Sequence, residues 1–212
     1  DALARARAAG PFASIADVVR RAGLDRGDAL HLAQAGAFAA WEPDRRRAAW
    51  EALHAVGDTL PLAPLPRGAH VPRPLTRDEL IYLDYHAVGM SVLGHPVERL
   101  RARLRAAGAL DSRDLRRLRG GERVLVGGLV TIRQRPATAN GTLFLLLEDE
   151  HGFVNVIVPP DLVAPNAEVV QHAPFLLVLG RFERAGAVRN VVGERFKAIA
   201  ARPPTHASRD FR

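Results

Sequence analysis

Residues 130–152, VTIRQRPATANGTLFLLLEDEHG, decide how the second half of this chain is read. An apolar run leads into two arginines and a proline, then a polar turn, then a second apolar run that ends in three consecutive acids and a glycine. Apolar segments on both sides of Asn140-Gly141 make the pattern of a β-hairpin. Its positive charge falls at the tip and its negative charge at the far end. Either the tip meets something anionic, or this is an ordinary solvated loop.

Outward from the hairpin the strand grammar continues. ERVLVGGLVTIRQ (122–134), GTLFLLLED (141–149) and FVNVIVPP (153–160) are followed by a short helix or loop over 161–173, then by PFLLVLGRFER (174–184) and AVRNVVGERFKAI (187–199). Five strands with a helical connection between the third and fourth is the order of an OB-fold barrel. The pair Gly127-Gly128 supports it, because the first strand of a small barrel bends sharply to join both neighbours. Val124, Val126, Val130 and Ile132, with Leu143, Leu145, Leu147, Val154, Val156 and Val158, form the expected interior. The opposite face is mixed and carries Phe144, Phe153, Asn155, Arg133 and Arg189.

The first half is helical. In FASIADVVRRAG, Phe12, Ile15, Val18 and Val19 fall at helical spacing between a Ser14 cap and a Gly23 stop. A second helix, DALHLAQAG, ends at Gly36, and a third starts near Asp44 with Trp50 and Leu53 on one face. Helix, glycine turn, helix is the pattern of a helix-hairpin-helix element, whose turn amides can hold a DNA phosphate; a plain three-helix packing unit gives the same pattern. Residues 58–75 hold five prolines and no periodicity, an extended linker. Thr76 and Glu79 form a capping box for a helix that stops at Gly89, and arginine-rich helices follow to about residue 118. The expected organisation is an α+β multidomain chain: a helix-hairpin-helix-like unit over 1–57, a Pro-rich linker over 58–75, connecting helices over 76–120 packed beside the barrel, the OB-fold over 121–200, and a tail over 201–212.

Composition narrows the function classes. The 212 residues carry a net charge of +7 and no cysteine, which excludes disulfides and thiolate metal sites and fits a cytoplasmic protein. No apolar run is long enough to span a membrane, so no membrane partner is expected. The basicity sits mainly in residues 97–120, net +5, whereas residues 121–200 are balanced at 8 basic and 8 acidic groups. The eight histidines are scattered, and Glu148, Asp149 and Glu150 alternate faces on one strand, so no metal site is expected; these acids read as the solvated end of the hairpin. No phosphate loop, nucleophile elbow or dinucleotide fingerprint occurs, and neither catalysis nor a cofactor is expected of these residues alone. The candidate nucleic-acid site is Arg133 and Arg135 for phosphates, with Pro136 stiffening the loop, Phe144 and Phe153 as stacking platforms, and Asn155 and Arg189 as polar contacts.

Three stretches together resemble a known family. GPFASIADVVRRAGL with LAQAGAF and DRRRAAWEAL resembles the tandem helix-hairpin-helix region of bacterial C-family DNA polymerases. DYHAVGMSVLGHPVERLR, with Gly89, Ser91, His95 and Pro96, resembles the segment that follows it, and VLVGGLVTIRQRPATANGTLFLLLEDEHGFVNVIVPP resembles the C-terminal OB domain of the error-prone, ImuC-type branch. The resemblance implies a translesion DNA polymerase acting in DNA repair, with DNA and the accessory proteins ImuA and ImuB as partners. It also implies Mg2+ at catalytic carboxylates upstream of Asp1, so this chain is expected to be a fragment. Two other readings remain open: a protein-interaction module that docks accessory subunits, and an anticodon-type RNA-binding OB domain.

Overall fold

The computed structural model describes residues 2–57 and 73–200, with the backbone of 209–211. The proline-rich stretch lies almost wholly outside the described residues, as does most of the tail. Two compact units divide at Met90/Ser91.

The first unit contains α1 (Ala2–Ala8), α2 (Ile15–Ala22), α3 (Arg26–Gln34), α4 (Arg45–Gly57) and α5 (Arg77–Val88). Ser14 caps α2 by accepting the Asp17 N–H, and Gly23 ends it in the left-handed region at φ 60°. Arg21 fastens the chain leading into α2: it donates to the carbonyls of Ala6, Pro11 and Gly10, pairs with Asp17, and lies over the Phe12 ring. Ala29, Ala33, Ala48, Ala52 and Ala55 line the core with Ile15, Val18, Val19 and Phe38. Small side chains let the helix axes approach closely, and the alanine face of α4 turns inward while Trp50 stays exposed. The capping box of Thr76 and Glu79 opens α5, with Arg73 gripping the Glu79 carboxylate through both oxygens.

Helix α5 corrects one expectation. It does not belong with the helices beside the barrel but with the first unit, where Asp84 pairs with Arg45 and Glu79 with Arg46. Those partners lie more than 30 positions apart in sequence, so local pattern gives no hint of them.

The second unit holds a 3-10 turn at Glu98–Leu100, α6 (Arg101–Ala106), α7 (Ser112–Leu115), β1 (Arg123–Gln134), β2 (Leu143–Asp149), β3 (Gly152–Val158), α8 (Pro160–Val163), α9 (Ala167–His172), β4 (Phe175–Ala185) and β5 (Val188–Ala198). The order β2-β3-β5-β4-β1 closes through the β1–β2 pairing into a five-stranded barrel. With helices between β3 and β4, this is the OB arrangement. A short β6 (Arg209–Phe211) runs parallel to the end of β1. Strand β1 pairs with β4 as far as Leu129 and with β2 from Leu129 onward, so it changes partner just past Gly127-Gly128. A Cβ on Gly128 would stand 2.8 Å from the Glu148 carbonyl oxygen, which only glycine permits without a shift of backbone.

Beyond the change of partner the register slips between Val130 and Ile132. A bulge of this kind inverts the alternation of faces. Val124, Val126 and Val130 are buried as expected, but after the slip Arg133 turns inward and Ile132 is only half-buried.

The acidic run is not solvated either. Asp149 is 4% exposed, and its carboxylate accepts the Ser112 N–H at 2.7 Å, the Ser112 hydroxyl at 2.8 Å, and the N–H groups of His151 and Gly152. Glu150 takes both Nε and Nη2 of Arg101, at 2.5 and 2.9 Å. Buried Asp111 caps α7 through the Arg113 and Asp114 N–H groups and accepts from Arg105. The acids therefore clamp α6 and α7 to the turn between β2 and β3. Arginines from the basic run supply the countercharge, because carboxylates shielded from water need partners.

His95 sits in this clamp, its Nδ1 accepting the Val97 N–H and its Nε2 3.7 Å from Glu148. Burial pushes the imidazole down to about 4, against the opposing pull of Glu150 and Asp149. An unfolded chain takes up this proton near pH 6.5, and the folded one refuses it until about pH 4. Stability from this group is thus full above pH 6.5 and is lost as pH falls toward 4, by about 2 kcal/mol between pH 6.5 and 5. Burial raises the Glu148 carboxyl, which works in the opposite sense just above its ordinary range. Urea unfolding at pH 7 and 5 is expected to show the loss in the parent and most of it abolished in His95→Asn; an equal loss in both would refute this assignment.

Candidate nucleic-acid interface

The residues singled out in the sequence separate into three groups. Arg133 leaves the interface: it is 7% exposed, and its Nε and Nη2 donate to the carbonyls of Val170 and Ala173 at 2.9 and 2.6 Å. These carbonyls lie at the C-terminal end of α9, where acceptors lack intrahelical partners and a cation is favoured. The guanidinium fastens the β3–β4 connection to the barrel and is not offered to a phosphate.

Arg135 and Phe144 lie at one end of the outward face. Arg135 is exposed just past β1, and the loop turns as expected through Asn140 at φ 49° and Gly141 at φ 84°. Phe144 is half-buried, opposite Gln134 on β1 and Ile157 on β3.

Phe153, Asn155 and Arg189 lie at the other end. Phe153 pairs with Glu148, four residues along β2 from Phe144, about 13 Å at the rise of a β-strand. Phe153 is 61% exposed. The Asn155 amide donates to the Arg189 carbonyl at 3.3 Å across the β3–β5 pairing. Arg189 is half-buried; its Nη1 donates to the Ala187 carbonyl, and its Nε is shielded from solvent without a partner among the described residues.

These three line a cleft of about 410 Å³ between α7, the start of β3 and the turn between β4 and β5. Ser112, Leu115 and Arg116 form its α7 wall, and Val188 and Asn190 come from β5. No carboxylate among the described residues lines it. Val188 is 56% exposed, so the cleft shows an apolar floor beside two guanidinium groups. Arg116, Val188 and Asn190 were not singled out from sequence. Arg116 had a signal, since it falls in the one strongly basic stretch of the chain, residues 97–120.

In the first unit the starts of α3 and α4 are already occupied. The Asp25 carboxylate accepts the Asp28 N–H at 2.8 Å at the start of α3, and Asp44 accepts the Arg46 and Arg47 N–H groups at the start of α4. In the turn after α2, the Gly23 and Leu24 N–H groups donate to Arg20 and Val19. A phosphate approaching the α3 turn meets a carboxylate where it would need an amide. Phe38 is buried in the core.

Residues 1–48 match the helix-hairpin-helix motif family. The whole chain is 43% identical over 216 residues to a protein named error-prone DNA polymerase from Anaeromyxobacter sp. (strain K), of which it spans 19%. A protein of the same name from Xanthomonas campestris pv. campestris (strain B100) is 41% identical over 192 residues, 90% of this chain and 18% of that protein. The chain thus spans about a fifth of the length of the curated relatives it matches. Among solved structures, asparaginyl-tRNA synthetase from Pyrococcus horikoshii overlaps 39% of this chain and 21% of its own at 22% identity and a TM-score of 0.33, too slight a likeness to support an argument.

Arg133→Met is expected to weaken the barrel by about 3 kcal/mol, since two charge-assisted hydrogen bonds to buried carbonyls are lost. Arg135→Met should stay within about 0.5 kcal/mol of the parent. Urea unfolding followed by far-UV circular dichroism compares them; equal losses would show that Arg133 has no fastening role.

Proposed function

We propose that this chain is the DNA-holding region of an error-prone DNA polymerase, seating unpaired template against the barrel while nucleotidyl transfer occurs on other parts of that protein. The name of the relatives supports the polymerase, and the barrel cleft supports the contact with single strands. One observation carries the site: Phe153 stands 61% exposed beside Arg116 and Arg189 in a cleft free of carboxylates. Unpaired bases stack on aromatic rings and phosphates pair with guanidinium groups, so these elements match a single strand better than a duplex. Arg135 extends the positive surface about 13 Å along the outward face toward the β1–β2 loop.

On this reading the polymerase is of the ImuC type, works in translesion repair in the cytoplasm with ImuA and ImuB, and takes Mg2+ at its catalytic part. The helical unit, with α2 to α5 self-capped, contributes through exposed cations such as Arg47 and not through backbone amides.

Titration of a fluorescent oligothymidylate at several salt concentrations tests the reading. Arg135→Glu should lower the log–log salt slope by about 0.7, the value for one single-strand phosphate contact. Phe153→Ala should keep the slope and cost about 1–3 kcal/mol of binding. Binding unchanged by either substitution at low salt would refute the site and favour a protein-docking role for the barrel.

The two tryptophans of the chain, Trp41 and Trp50, both lie in the first unit and are exposed. Quenching of their emission therefore reports contact with the helical unit alone. Oligothymidylate is expected to bind with little quenching, while strong saturating quenching would assign the single strand to the helices.

A further inference from the structure

The cleft at the α7 end of the barrel differs in shape from a surface that tracks a strand. We infer that it is a seat for one nucleotide, with the base on Phe153 and Val188 and the phosphate between Arg116 and Arg189. This inference deepens the single-strand reading above and rests on it.

Size is the first ground. A volume of about 410 Å³ lies toward the lower end of small-ligand sites, enough for one nucleotide and too little for a run of them. Charge is the second. Arg101, Arg105 and Arg123 are committed to carboxylates, and Arg133 to carbonyls. The Arg116 side chain makes no hydrogen bond or ion pair among the described residues, and it shares the cleft wall with a half-buried Arg189 whose Nε is unpartnered. With no acid among the described residues lining the cleft, the pair selects an anion, Arg116 offering its fork and Arg189 the donors that its Ala187 contact leaves over.

The third ground is the apolar floor. A free phosphate gains nothing from an exposed phenylalanine, whereas a nucleobase stacks on it, and Asn155 and Asn190 also line the cleft. Asn155 spends its amide N–H on Arg189, which leaves its carbonyl oxygen to accept from a base. A strand crossing the outward face would thus place one nucleotide in the seat and continue toward Arg135.

Titration of the chain with thymidine 5′-monophosphate, followed by NMR, tests the seat, with thymidine and inorganic phosphate as separate probes. The monophosphate is expected to shift the resonances of Gly152, Asn155, Val188 and Asn190, and to bind about tenfold more tightly than either probe, as stacking and phosphate contacts combine. Arg116→Gln and Phe153→Ala, both at exposed positions, should each weaken the monophosphate about tenfold. Arg135→Glu should leave it unchanged while weakening the oligonucleotide. Unmoved cleft resonances at millimolar monophosphate, or inorganic phosphate binding as tightly, overturn the seat. If oligothymidylate binding still depends on Phe153 in that case, the single-strand reading stands without the seat. If it does not, both fall.

Discussion

The slip of register between Val130 and Ile132 is the constraint on which the barrel's chemistry depends. Strand β1 must pair with β4 along its first part and β2 along its second, and a closed barrel of five strands leaves no other way to join its edges. The glycine pair allows the bend, and the bulge absorbs the extra residue. As a consequence the inward-facing set switches from Val130 to Arg133. A buried guanidinium then requires acceptors, and the end of α9 supplies them. One residue of slip therefore joins the barrel wall to the helical connection between β3 and β4. Arg135, two positions on, lies past the end of β1 and is exposed in the loop.

The charge separation along the β1–β2 hairpin follows from the same fastening requirement. At one end Arg133 serves the α9 carbonyls, and at the other Asp149 and Glu150 hold α7 and Arg101. Arg133, Asp149 and Glu150 are thus spent within the protein, and Arg135 is the cation of the hairpin that stays exposed. Exposed ion pairs contribute little, but these are shielded, and each carboxylate accepts several hydrogen bonds in fixed geometry. They determine where α7 sits, and α7 carries Leu115 into the barrel and ends beside Arg116 at the cleft. The acidic run thus shapes the candidate site without lining it.

Much of the fold was legible because it follows from local rules. Alternating valines and leucines marked the barrel interior, Asn140-Gly141 marked the turn, and Thr76 with Glu79 marked the start of α5. The bulge was not legible, since an extra residue in a strand of Val, Thr and Ile carries no marker of its own. On β1 beyond it the faces of Ile132 and Arg133 no longer followed the alternation, which is why Arg133 was read as a phosphate ligand. The acids were misread for a related reason: their partners Arg101 and Ser112 lie 49 and 37 positions away. Of the candidate site, Phe153, Asn155 and Arg189 meet in one cleft, while Arg135 and Phe144 lie at the far end of the same face. Spacing placed Trp50 on a helix face with Leu53 but does not distinguish a face packed by alanines from one packed by large side chains, and Trp50 is exposed.

Ultraviolet crosslinking of the chain to an oligonucleotide carrying a photoreactive thymine analogue, followed by peptide mass spectrometry, tests most directly whether the barrel end receives the strand. The account predicts crosslinks at Phe153 and in the β5 segment around Val188, suppressed by an excess of unlabelled oligothymidylate. Crosslinks confined to the helices of the first unit, with none in residues 152–155 or 187–191, would contradict it.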